Sequence, residues 1–121
     1  MDRNDVYLQG RIGQNLKYGK TERGSEYATF SLVIEPVQNK QDKGSEATTY
    51  IRILVFEKHL VKYLHDVKAK EGQRVAIVAF INSRRTEVKG ETIIQNSVIA
   101  RDIIVAKTKQ MKISTEEEMN L

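Results

Sequence analysis

Thr49-Tyr50-Ile51-Arg52-Ile53-Leu54-Val55-Phe56 runs into Glu57-Lys58-His59-Leu60-Val61-Lys62-Tyr63-Leu64-His65-Asp66-Val67, and the hydrophobic period changes partway along. In the first eight residues Ile51, Ile53 and Val55 alternate with Tyr50, Arg52, Leu54 and Phe56, the period of a strand with one face toward a core. In the second part Leu60, Leu64 and Val67 recur at i, i+4 and i+7, a helical stripe. The helix is expected over residues 58–70. Lysines gather in its last turn, where the helix dipole favours cations, and Gly72 is placed to close it in the left-handed conformation.

Working outward, the alternation recurs. Residues 6–12 place Val6, Leu8 and Ile12 on one face, and residues 27–35 set Ala28, Phe30, Leu32 and Ile34 against Tyr27, Thr29 and Ser31. Residues 74–83 and 92–105 are two further runs rich in Ile and Val. Between them, residues 14–25 with Gly19 and Gly24 read as a loop or irregular hairpin, and residues 84–90 as a basic turn. Residues 36–48 form a long polar connection, and loops of that length are usually functional or disordered. Five strands with one helix between the third and fourth predict an all-β, five-stranded OB-fold barrel, a frame whose sheet face and loops bind oligonucleotides or oligosaccharides. The domain is expected over residues 1–106, followed by a charged, flexible tail over 107–121.

Composition narrows the function. The 121 residues contain no Cys, which removes disulfides and thiolate metal sites and suits a reducing compartment. No apolar run is long enough to span a bilayer, and the polar start Met1-Asp2-Arg3-Asn4-Asp5 is no secretory signal, so the expected location is the cytoplasm. The net charge of +4 hides an asymmetry. Setting aside Glu116, Glu117 and Glu118 leaves 20 basic against 13 acidic side chains, a body of +7 that attracts polyanions, nucleic acid first.

Catalytic patterns are missing. His59 and His65 stand six apart on a helix and face different ways, so they cannot share a metal. Phosphate loops, nucleophile elbows and zinc-protease motifs do not occur, and no metal or cofactor is expected. Binding chemistry is better represented. Single strands are held by basic side chains along the backbone and by rings on which bases stack. Tyr50, Arg52 and Phe56 share the polar face of one strand, an aromatic–guanidinium–aromatic platform; Phe56 also fits a core position at the strand end. Arg84, Arg85 and Lys89 sit in the basic turn, where they either close over a bound strand or are solvated. Arg11, Lys17, Lys20 and Arg23 are further candidates, with Lys40 and Lys43 in the long loop. Tyr7, Tyr18 and Tyr27 fit either stacking or an oligomer interface.

Several segments resemble the bacterial single-stranded-DNA-binding (SSB) family. Asn4-Asp5-Val6-Tyr7-Leu8-Gln9-Gly10-Arg11-Ile12-Gly13 is similar to the family's opening strand and Ala28-Thr29-Phe30-Ser31-Leu32-Val33 to its second. The stretch from Thr49 to Lys58 resembles the third strand and helix entry, and Glu71-Gly72-Gln73-Arg74-Val75 the step into the fourth. The resemblance covers residues 4–105, in a divergent form that suits a phage or mobile element. It implies sequence-independent binding of single-stranded DNA, a role in DNA replication, recombination or repair, and a homo-oligomer, tetramer or dimer. The family's stacking aromatic falls on Tyr50, its neighbouring Arg on Arg52, its Phe on Phe56, and its hairpin cations on Arg84 and Arg85. The departures are the lack of Trp and the presence of Gln38 and Thr86 near positions where the family carries rings, so fewer stacks and stronger salt dependence are expected. Glu116-Glu117-Glu118-Met119-Asn120-Leu121 resembles the family's acidic tail with an apolar tip, which implies that Glu116, Glu117, Glu118, Met119 and Leu121 recruit replication or repair proteins; an ordinary charged terminus fits them equally. Two other readings remain: an assembly factor like primosomal replication protein B, and an OB domain used only for protein–protein contact.

Overall fold

A computed structural model describes residues 1–36 and 47–107. The elements run β1 (Val6–Ile12), β2 (Lys17–Lys20), β3 (Glu26–Ile34), β4 (Thr49–Val55), α1 (Lys58–Asp66), β5 (Arg74–Val88) and β6 (Glu91–Val105). The strands close a ring of OB type. β1 pairs antiparallel with β5 along its length and with β3 at Arg11 and Ile12; β3 pairs with β4, and β5 with β6. The remaining gap is bridged by a short parallel contact, Ile53↔Val98 and Leu54↔Ile99 on β4 and β6. Closure demands close approach of β1 to β3 at Gly10, where a Cβ would lie 2.4 Å from the Val33 carbonyl oxygen.

Alternation decides what is inside. Ile12, Ala28, Phe30, Leu32, Ile53, Val55, Val75, Ile77 and Ala79 fill the barrel, and α1 plugs one end with Leu60, Val61 and Leu64. Burying each of the Val, Leu, Ile and Phe side chains among them stabilises the fold by about 1.5–3 kcal/mol. Tyr63 pins the end of β6 by accepting a hydrogen bond from Val105 N–H at 2.9 Å.

Three sequence expectations are adjusted. The segment before β3 is a true hairpin, because Lys17–Lys20 finds partners along β3 and becomes a sixth, short strand. The helix stops at Asp66, well before Gly72. Its end is a Schellman motif in which Ala69 N–H bonds to the Leu64 carbonyl and Lys68 N–H to that of His65, with Lys68 itself left-handed at φ 54°. The helical period alone could not show this, since a lysine occupies the position where glycine is usual. Finally, residues 84–88 are not turn. β5 and β6 stay paired to Val88↔Glu91, and only Lys89 and Gly90, both at positive φ, make the turn of type I′. The result is a long two-stranded arm standing off the barrel.

Candidate nucleic-acid interface

The outer face of β3 and β4 carries the platform. Cross-strand register sets Tyr50 opposite Val33, Arg52 opposite Ser31 and Leu54 opposite Thr29, all with side chains on the face away from the core. Tyr50 is 70% exposed. Arg52 is exposed and its Nε donates to Thr29 Oγ1 at 3.3 Å, which aligns the guanidinium along the sheet. Phe56 follows the strand and is 48% exposed, so the core reading for it does not hold. Its ring meets Tyr27, centroids 6.2 Å apart and tilted by 48°. Tyr27 lies across Gly19 of β2, where a Cβ would come within 2.8 Å of the ring, so a larger residue there would displace the Tyr27 ring.

The row continues on both sides. Arg11 pairs with Val33 and so joins Tyr50 on the same face; together with Gly13, Gln14, Asn15 and Glu71 they border an open groove of about 400 Å³. Lys17, opposite Thr29, extends the face across β2. On the other side, the pairing of Leu54 with Ile99 carries the face onto the arm, where it comprises Phe80, Asn82 and Arg84 of β5 with Ser97 and Gln95 of β6. A second groove, about 490 Å³, runs between Arg52 and Leu54 on one wall and Gln95, Asn96 and Ser97 on the other.

The structure therefore sorts the candidates. Tyr50, Arg52, Phe56, Arg11, Lys17 and Arg84 share one continuous face. Arg85 points to the opposite side of the arm, with Ile81 and Ile94, because it follows Arg84 in a strand rather than in a turn. Lys89 is at the arm's tip, and Arg23 is in the turn between β2 and β3. Lys20 lies opposite Glu26 on the far side of β2. On that side Tyr18 stacks on His65 at 3.9 Å, and His65 Nε2 lies 2.5 Å from Glu26 Oε1. Burial first, and the Glu26 carboxylate second, push the Tyr18 hydroxyl above its ordinary value. Tyr18 thus anchors the hairpin to α1 and does not belong to the platform. Lys40, Lys43, Glu116, Glu117, Glu118, Met119 and Leu121 lie outside the described residues.

Sequence reasoning missed Thr29, which meets Arg52 across the β3–β4 ladder, and Asn82, Gln95 and Ser97, which meet the platform only through the ring closure. The available signal was the polar Gln95-Asn96-Ser97 break within the Ile- and Val-rich last strand.

Residues 3–106 match the model of the single-strand binding protein family. The chain belongs to that family. It is a family of binding proteins rather than enzymes, which accords with the lack of catalytic patterns. No curated protein matches the chain. Among solved structures, the Plasmodium falciparum SSB in complex with single-stranded DNA superposes with a TM-score of 0.70 at 20% identity, covering 88% of this chain and 97% of that one. The mitochondrial single-stranded DNA binding protein Rim1 of S. cerevisiae superposes at 0.68 with 22% identity, covering 88% and 98%. At these identities the likeness establishes a shared fold, the OB-type ring of the family.

Proposed function

We propose that this chain binds and protects single-stranded DNA, without dependence on sequence, during replication, recombination or repair. The observation that carries the reading is the continuous face on which Tyr50 and Phe56 offer rings and Arg11, Lys17, Arg52 and Arg84 offer charge. A backbone-tracking row of cations with interspersed rings is how single strands are held with little regard to sequence. The basic body, +7 without the three terminal glutamates, adds long-range attraction.

Rings are few on this face, so phosphate contacts supply a large share of affinity. The log of the binding constant should fall with the log of salt by about 0.7 for each phosphate neutralised. A homo-oligomer, dimer or tetramer, is part of the reading; Tyr7 and Ile104, 74% and 64% exposed on the outer face of β1, β5 and β6, are the side chains such an assembly would cover. The acidic hexad 116–121 is assigned to recruiting replication or repair proteins, and the cytoplasm is the assigned location. No helix among the described residues is long and apolar enough to cross a membrane.

The test is a titration of labelled dT oligomers against duplex of equal length at low and moderate salt. Single strands should bind far more tightly than duplex, with a steep salt slope. Equal affinity for the two would refute the proposal.

A further inference from the structure

The arm formed by β5 and β6 leaves the barrel where the ladder to β1 stops. The β1–β5 register runs from Arg11↔Arg74 to Val6↔Ala79, and two residues further it would set Asn4 opposite Ile81. The main chain at Asn4 is no longer strand, yet the rung is made. Asn4 Nδ2 donates to the Ile81 carbonyl at 2.6 Å, and Ile81 N–H donates to Asn4 Oδ1 at 2.9 Å. Both bonds require the same orientation of the amide, since a flip would set oxygen against oxygen and N–H against N–H. A side-chain amide here does the work of a peptide group.

Its surroundings reinforce the joint. Asp5 lies 3.6 Å from Arg101, whose guanidinium sits 4.4 Å above the Phe80 ring. A β-bulge at Arg101 of β6, opposite Val78 and Ala79, bends the ladder at the same level. From Asn82 to Asn96 around the turn, every residue is exposed and paired only within the hairpin. A two-stranded ribbon without a third layer has little to hold its direction except its root. On the β4 side that root is held by the short ladder at Val98 and Ile99, and on the β1 side by Asn4.

We propose that Asn4 is a positioning residue for the nucleic-acid face, fixing the angle at which the arm leaves the barrel and so the place of Asn82 and Arg84 beside Arg52. The inference rests on the proposed binding of single strands along that face. Asn4 itself touches no ligand; it acts through the Ile81 backbone.

Because the full chain has no cysteine, spin labels can be introduced at Lys58→Cys on α1 and Glu87→Cys on the arm, diluted with unlabelled chain to suppress distances between copies. Asn4→Ala should broaden the distance distribution between them while leaving thermal unfolding nearly unchanged. The same substitution in the unlabelled protein should weaken dT-oligomer binding roughly threefold to tenfold, the scale of one or two net hydrogen bonds. It should also lower the salt slope by about 0.7, the share of one phosphate contact. In an Arg84→Ala background Asn4→Ala should cost almost nothing more. An unchanged label distance overturns the clasp whatever the affinity. Additive losses in the double variant, with the salt slope unaltered, would reduce Asn4 to a stabilising contact and overturn the proposal. Failure of the parent protein to bind dT at all would instead strike the functional reading on which it depends.

Discussion

Replacing Tyr50 by alanine removes the most exposed ring of the β3–β4 face at little cost to the fold. With 70% of its surface open and only Val33 across the strand, Tyr50 contributes little to the core, and changes at such positions usually stay within about 0.5 kcal/mol. The loss therefore falls on binding. One base–aromatic stack is worth about 1–3 kcal/mol, which corresponds to a roughly fivefold to hundredfold weaker affinity for a dT oligomer. The ring is uncharged, so the salt slope should stay at the parental value. Arg52→Ala should do the reverse, with a smaller loss at moderate salt but a slope reduced by about 0.7. Fluorescence anisotropy with labelled dT at several salt concentrations reads both quantities, and circular dichroism checks folding. Parental affinity in Tyr50→Ala, or a changed slope in that variant, would refute the assignment of a stacking role.

Glu71→Gln, which removes the carboxylate bordering the groove beside Arg11 and Tyr50, should strengthen binding about twofold to threefold at low salt and hardly at all at high salt, as screening of exposed charges requires; the same anisotropy titration measures it. Lys68→Gly should raise stability by about 1 kcal/mol in urea unfolding, since the left-handed residue that closes α1 carries a Cβ the conformation disfavours. The Tyr18 hydroxyl, raised above 10.0 by burial and then by Glu26, keeps its proton in the folded state at pH values where the unfolded chain has lost it. Stability is thus full below about pH 10 and falls as the pH climbs beyond it. Tyr18→Phe, which preserves the stack on His65, should flatten that alkaline fall in thermal unfolding measured across pH.

Local pattern made most of the ring legible. The alternation of Ile51, Ile53 and Val55 with Tyr50, Arg52 and Leu54 is a property of one strand, and the burial of Ile53 and Val55 and the exposure of Tyr50 and Arg52 follow directly from it, while Ile51 and Leu54 are half-buried. What the pattern could not carry was pairing at a distance. Lys17–Lys20 is too short to show a period and becomes a strand only because β3 lies beside it. Arg84 and Arg85 looked alike in a basic stretch, yet a continued β-ladder sends them to opposite sides. Gln95 and Ser97 join Arg52 only once a parallel contact between β4 and β6 closes the ring. The end of α1 was misplaced for a different reason: the left-handed cap is taken by Lys68, so the usual glycine marker pointed four residues too far.

Amide chemical-shift mapping on deuterated protein, with a short dT oligomer added, addresses the face itself. Shifts should concentrate at Tyr50, Arg52, Ser31, Val33, Ser97 and Arg84, while Tyr7, Val78 and Ile104 on the other side of the barrel stay in place. A footprint centred on that other side, or none on β3 and β4, would contradict the account.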